Sequence, residues 1–189
     1  MSISLNLILG PMFAGKTSHL IKTVNDLITH DHAAKDAIIL VNHSSDSRYD
    51  TNRICSHDGC KLESLSLASL SQLSLESGKC KYLFIDEAQF FPDLYDGVLD
   101  IMKNYRNQQE SITIYVYGLD GDFQQKAFQQ SRLLELIPFA SSITKLLARC
   151  YVCNAAAPFS KRLIETTSAQ ILVGGENIYQ SACFNHLNV

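Results

Sequence analysis

The apolar run from Ile3 to Leu9 leads straight into Gly10-Pro11-Met12-Phe13-Ala14-Gly15-Lys16-Thr17, and no other stretch constrains the fold as strongly. A buried-strand pattern followed at once by G-x-x-x-x-G-K-T predicts a strand, a glycine loop and a helix. Such a loop turns successive backbone N–H groups around phosphate oxygens, and the helix N-terminus behind it favours negative charge. Lys16 can then reach the outer phosphates, and the Thr17 hydroxyl can join a magnesium shell. Lys16 is expected to face solvent until a nucleotide arrives. The plainer alternative is a glycine turn beside a solvated lysine.

The rest of the chain repeats the strand-and-helix rhythm. Thr17 to about Thr29 carries Leu20, Ile21, Val24, Leu27 and Ile28 at helical spacing. Ala37 to Val41 reads as a second strand, Asn42 to Gly59 as a polar loop, and Leu62 to Leu75 as holding one short helix. Tyr82 to Ile85 is a third strand, and Tyr95 to Tyr105 a helix presenting Val98, Leu99 and Met102. Ile112 to Tyr117 is a fourth strand, followed by a helix near Ser131 to Leu136. Strands alternating with helices predict an α/β fold, a parallel sheet covered by helices in the manner of P-loop nucleotide-binding proteins. From Cys150 onward the segments are short. The expected division is a nucleotide-binding core over residues 1–149 and a small metal-stapled unit over 150–189.

The second half of a phosphate site should be an acidic residue at a strand end. Lys81-Tyr82-Leu83-Phe84-Ile85-Asp86 provides it, and Asp86 can hold magnesium directly or through water. Glu87 is adjacent and can face an acceptor hydroxyl as a base. Strand-end capping and surface charge are the alternative roles for this pair.

Cys150-x-x-Cys153 and Cys183-x-x-His186 form two ligand pairs across a long intervening loop. Three thiolates and an imidazole suit a closed, tetrahedral, structural zinc site. Its job would be to close the loop from Asn154 to Ala182. Loss of the metal is therefore expected to loosen that loop. The alternative is three reduced cysteines and a surface histidine. Cys55, Cys60 and Cys80 share no such spacing and read as ordinary thiols, which fits a reducing compartment better than a disulfide framework.

The net charge of −3, from sixteen Lys and Arg against nineteen Asp and Glu, gives no footprint for a polyanion partner. Nucleic acid is not an expected partner, and no apolar run is long enough to span a membrane. The N-terminus lacks the basic region of a signal peptide. A soluble protein of the cytoplasm is expected.

Several segments together resemble the cellular and poxviral type of thymidine kinase. They are Gly10 to Thr17, Asp46-Ser47-Arg48-Tyr49, His57-Asp58-Gly59, Ile85-Asp86-Glu87-Ala88-Gln89-Phe90-Phe91 and Gly118-Leu119-Asp120-Gly121-Asp122-Phe123. Cys150-x-x-Cys153, Phe159-Ser160-Lys161-Arg162 and Val173-Gly174-Gly175-Glu176-Asn177-Ile178-Tyr179 follow in the same order. The resemblance implies transfer of the ATP γ-phosphate to the 5′-hydroxyl of thymidine or deoxyuridine. Glu87 then matches the catalytic base, and Lys16, Thr17 and Asp86 match the phosphate and Mg2+ residues. Arg162 matches an arginine that meets phosphate. Gln89 matches a residue near the sugar and acceptor end, within the set Gly10 to Thr17, Asp86 and Gln89 that handles the cofactor. The nucleoside pocket carries over onto Met12, Phe90, Leu119, Phe123, Phe128, Ser160, Leu172 and Tyr179, with Asp46, Arg48 and Tyr49 in a loop near the phosphates. A flat slot of Phe90, Phe123 and Phe128 for the pyrimidine is expected. The family's zinc usually has a fourth cysteine where this chain has His186.

The resemblance further implies a homotetramer and feedback inhibition by dTTP. Gln124-Gln125-Lys126-Ala127 and Gln129 depart from the family's more basic, proline-bearing run. The chain stops at Val189, soon after His186, which favours a viral or bacterial form over an animal one. His57 has a turn-forming role open to it as well as a chemical one. Without the resemblance, the residues leave three classes open: a small-acceptor kinase, an ATP-driven motor fragment, and a zinc-containing nucleotide-binding module.

Overall fold

In the computed structural model Ile3–Leu9 is paired along both edges, with Leu5, Leu7, Ile8 and Leu9 buried and Ser4 and Asn6 half-buried. The strands in chain order are β1 (Ile3–Leu9), β2 (Ile38–His43), β3 (Arg53–Cys55), β4 (Lys61–Glu63), β5 (Leu65–Leu67) and β6 (Tyr82–Ile85). They continue as β7 (Ile112–Gly118), β8 (Ser142–Lys145), β9 (Ala148–Arg149), β10 (Ala156–Ala157), β11 (Phe159–Arg162) and β12 (Tyr179–Ala182). The helices are α1 (Lys16–Thr29) and α2 (Leu94–Asn107). The structure describes residues 1–30, 33, 35–45, 53–55, 61–163, 170 and 174–187.

Six strands form one parallel sheet in the order β5-β2-β6-β7-β1-β8. α1 packs Leu20, Ile21, Val24 and Leu27 on one face, against Ile8, Phe84 and Tyr117. α2 packs Leu94 and Val98 on the other face, against Leu5, Leu7, Leu83, Ile114 and Val116. Each such aliphatic side chain, fully buried, contributes roughly 1.5–3 kcal/mol of transfer free energy. Truncating the fully buried Leu20 to alanine would therefore cost about 2–5 kcal/mol, cavity included. The expected α/β architecture is present, with both faces of a parallel sheet covered.

Three expected elements differ. The stretch Leu62 to Leu75 holds no α-helix: it runs as β4 and β5, then a single 3₁₀ turn at Leu70–Gln72. The carboxylate of Asp93 takes the backbone N–H groups of Leu70 and Ser71, both at 2.9 Å, and so satisfies the first two donors of this turn. The segment near Ser131 is a 3₁₀ helix at Leu133–Phe139 rather than an α-helix. Arg132 enters it in the left-handed region at φ 54° and Pro138 lacks the N–H an α-helix would need there. Strand β8 was not expected at all, because its four side chains are all exposed and carry no burial pattern. The polar stretch Asn42 to Gly59 also yields β3, antiparallel to β4.

Among the described residues, the chain beyond the sheet forms two small antiparallel pairs, β9–β10 and β11–β12. The first begins at Ala148, so its hairpin straddles the boundary expected between residues 149 and 150.

Candidate active site

The C-terminal ends of β1 and β6 point their connecting segments to the same edge of the sheet, with β7 between them. From β1 the chain passes through Gly10 to Gly15 and enters α1. Gly15 adopts φ 77°, a left-handed conformation that costs a glycine nothing. A Cβ at Gly10 would lie 2.5 Å from the Leu146 carbonyl oxygen, so no larger residue fits there. Phe13 is held at φ 65°, a strained value for a bulky residue. The first turn of α1 has no side-chain cap and no acidic residue. Its N–H groups and the positive end of its dipole are thus left to an anion.

Lys16 does not face solvent, contrary to expectation. It is 9% exposed, and its Nζ donates to the carbonyls of Pro11 at 2.8 Å and Gly10 at 3.2 Å. A buried ammonium is tolerable only with such partners, and the loop's own carbonyls supply them. The lysine is stored folded over the loop.

Thr17 and Asp86 meet as expected. The Thr17 hydroxyl donates to Asp86 Oδ2 at 3.4 Å, and Asp86 Oδ1 accepts the backbone N–H of Glu87 at 3.0 Å. A hydroxyl and a carboxylate side by side, both hard oxygen donors, are the donor set magnesium takes in phosphate sites, so these residues fit that ion. Glu87 sits at φ 50° and ψ 40°, a left-handed backbone that turns the chain sharply off the end of β6. Its Oε2 accepts from Gln89 Nε2 at 2.6 Å, and Gln89 Oε1 accepts the Leu119 N–H at 3.0 Å. Gln89, 1% exposed, therefore connects the strand ends of β6 and β7. That bridging position was not foreseen; its only sequence signal is the amide two residues after the acid.

A second wall comes from β11 and β12. Ser160 is buried, and its Oγ accepts the Met12 N–H at 2.9 Å, joining this wall to the glycine loop. Arg162 Nη2 donates to the Tyr179 hydroxyl at 2.9 Å and to the Gln170 carbonyl at 3.3 Å. Its guanidinium lies 3.7 Å above the Phe123 ring, a cation–π contact. Among the described residues Phe90, Phe123 and Phe128, expected to line a flat slot for the pyrimidine, make no ring pair with one another. Phe123 is faced by Arg162, Phe90 lies 5.9 Å from the His43 ring, and Phe128 is buried. Asp46, Arg48, Tyr49, His57, Cys60 and Leu172 lie outside the described residues.

Cys150, Cys153, Cys183 and His186 converge, with their ligand atoms all within 4.8 Å of one another. A zinc tetrahedron with bonds of about 2.3 Å to sulfur has sulfur–sulfur edges of about 3.8 Å. The Cys153 and Cys183 sulfurs are 3.7 Å apart, and His186 Nδ1 is 3.2 Å from Cys183 Sγ and 3.6 Å from Cys150 Sγ. The four residues fit zinc. Backbone N–H groups of Cys183 and then Cys153 hold the Cys150 thiol down to about 6, which favours the thiolate that a metal requires. Cys150 and Cys183 also pack with Ala148 and Ala157 against Phe13 and Ala14. The Cys/His cluster thus rests on the glycine loop itself.

Among the described residues, no helix is long and apolar enough to cross a membrane. A family model described as thymidine kinase matches residues 3–187. Among curated proteins, the chain is 36% identical over 179 residues to a thymidine kinase of Myxoma virus (strain Uriarra), covering 95% of this chain and 93% of that one. It is 34% identical over 187 residues to a thymidine kinase of Oryza sativa subsp. japonica, covering 96% of this chain and 65% of the rice protein. It is 32% identical over 188 residues to thymidine kinase a of Arabidopsis thaliana, covering 97% and 74%. The similarity spans both the sheet and the metal knuckle.

Proposed function

The chain belongs to the thymidine kinase family, and from that membership we propose how its residues divide the reaction. The enzyme phosphorylates thymidine at the expense of ATP. In our reading Glu87 accepts the proton of the 5′-hydroxyl, whose oxygen then bonds to the γ-phosphorus. The bond from that phosphorus to the β–γ bridging oxygen breaks, and ADP leaves. Lys16 swings from the Pro11 and Gly10 carbonyls to the phosphates as they displace it. Thr17 and Asp86 would hold Mg2+, which supplies positive charge to the phosphate oxygens when bound. Arg162 meets phosphate from its place between Phe123 and Tyr179.

The observation that carries this reading is the strand end itself. Glu87 is turned by a left-handed backbone and gripped by Gln89, beside an Asp86 that faces Thr17. Catalytic groups are where such strain is retained. The pyrimidine deoxynucleoside, thymidine or deoxyuridine, is assigned to the side bounded by Met12, Phe90, Leu119, Phe123, Phe128, Ser160 and Tyr179. Leu172 is assigned there, and the substrate-binding Asp46 and Arg48 to the loop near the phosphates, on the resemblance alone. Zn2+ on Cys150, Cys153, Cys183 and His186 is structural, since four protein ligands leave no open position. Residues 1–149 act as the nucleotide core and 150–189 as the stapled cover. A homotetramer and inhibition by dTTP complete the proposal on the same resemblance, and a cytoplasmic location on the thiol pattern and the N-terminal sequence.

Phosphorylation of thymidine, deoxyuridine and deoxyguanosine, measured side by side, tests the assignment. The two pyrimidines should be used and the purine rejected. Equal efficiency on deoxyguanosine and thymidine would overturn the pocket.

A further inference from the structure

Asp122 is 5% exposed, in the turn that follows β7. Its Oδ1 accepts the backbone N–H groups of Gln124 at 2.7 Å and Lys126 at 2.9 Å, which shapes the turn. Its Oδ2 accepts from Gln170 Nε2 at 2.8 Å. Gln170 belongs to the segment between β11 and β12, far away in sequence. Its Nε2 also donates to the Ala127 carbonyl at 3.1 Å, while its own backbone carbonyl accepts from Arg162 Nη2 at 3.3 Å. Arg162 in turn holds the Tyr179 hydroxyl and covers Phe123.

We propose that Asp122 and Gln170 form a clasp that positions the wall of Arg162, Phe123 and Tyr179 for the deoxynucleoside. Both are positioning residues, and the inference rests on the assignment of that wall to the nucleoside. The chemistry of the clasp is directional. Both Nε2 hydrogens of Gln170 have an acceptor, one a carboxylate and the other a carbonyl. A flipped amide would set Oε1 against two acceptors, so the orientation is fixed from outside. An asparagine at 122 can keep the turn through Oδ1, but it places an N–H₂ against the Gln170 N–H₂. The amide cannot flip to answer it, because Ala127 O still needs a donor. The clasp bears on the nucleoside wall, whereas Lys16 and Thr17 stand on α1, so thymidine and ATP should respond differently.

The test uses the full-length, zinc-loaded enzyme and three variants: Gln170→Leu, Gln170→Glu and Asp122→Asn. Steady-state constants for thymidine and ATP are measured together with the melting temperature. Gln170→Leu removes one charge-assisted bond and one neutral one, and it should raise the KM for thymidine roughly tenfold. The KM for ATP should rise far less, since Lys16 and Thr17 hold the phosphates beside Arg162, and the melting temperature should stay near the parent value. Gln170→Glu, which sets a carboxylate against Asp122 and the Ala127 carbonyl, should raise the thymidine KM further. If Asp122→Asn folds, it should resemble Gln170→Leu, and in the double variant the two effects should not multiply. An unchanged thymidine KM in both Gln170 variants overturns the clasp, and so does a parallel rise in the ATP KM. A parent enzyme that turns over ATP with no preference for thymidine would overturn the underlying assignment and the clasp with it.

Discussion

The side-chain amide of Gln89 donates to the Glu87 carboxylate at 2.6 Å while its oxygen holds the Leu119 N–H at 3.0 Å. The proposed base is thus aimed by a group that is itself anchored to the end of β7. Replacing Gln89 by leucine removes this contact from the carboxylate and leaves the buried Leu119 N–H without its acceptor. We expect kcat with thymidine to fall about tenfold, the scale of one lost charge-assisted hydrogen bond. A kcat equal to the parent's would mean that Glu87 needs no such guide.

Lys16 stands folded over its own loop, so its removal tests charge and not core packing. Lys16→Met keeps the aliphatic stem and loses only the ammonium. Phosphoryl transfer should drop by at least roughly 10²-fold, in line with the loss of one preorganised charge contact. The melting temperature should change little, since the two carbonyls it leaves can bind water at the loop. Near-normal turnover in a folded variant would refute the role given to Lys16.

How much of this was legible depends on burial. β1, β6 and β7 announce themselves because inner parallel strands carry near-continuous apolar runs, broken here by Ser4, Asn6 and Thr113. The four ligands of the metal knuckle are legible because spacing alone restricts what they can bind. β8 is not legible: Ser142, Ile143, Thr144 and Lys145 are all exposed, and only their pairing with Asn6 to Leu9 makes them a strand. A lysine at an exposed sheet edge is ordinary protection against further pairing, so it carried no signal. In the site, Asp86 and Glu87 were readable from the strand end, whereas the burial of Lys16 was not. It follows from the carbonyls of Gly10 and Pro11 turning inward, a property of loop conformation. The contact of the knuckle with Phe13 and Ala14 is likewise a matter of packing between distant segments.

That contact changes the expected outcome of metal loss. Cys153→Ser should lose its zinc on purification and raise the KM for ATP as well as for thymidine, because Cys150 and Cys183 support the glycine loop while Ser160 joins it to β11. Metal analysis with steady-state kinetics decides it. Full zinc content, or a zinc-free enzyme with both constants unchanged, would contradict the structural role. His186→Ala checks the fourth ligand separately: zinc held as firmly as in the parent would remove His186 from the set.

His19 offers a pH test. Burial, and then the charge of Lys22, lower its pKa below 6.5, and its Nδ1 lies 3.1 Å from the Tyr117 hydroxyl. Above about pH 6.5 neither the folded nor the unfolded chain carries this proton, and the contribution of His19 to stability is complete. As the pH falls below that value the unfolded chain takes up the proton first, so stability declines toward the lowered folded value. The melting temperature should therefore drop between pH 7.5 and 5.5, and the drop should be shallower in His19→Asn. Identical slopes for parent and variant would show that His19 does not titrate in this way.

The most direct test of the whole account is the turnover of Glu87→Gln with thymidine and ATP. The substitution preserves size and the left-handed turn but removes the proton acceptor. The account predicts a fall in kcat of roughly 10²–10⁴, with both substrates still bound at close to parental affinity. A variant that transfers phosphate to thymidine at the parental rate, with chemistry shown to be rate-limiting, would reduce Glu87 to a strand-end carboxylate and contradict the account.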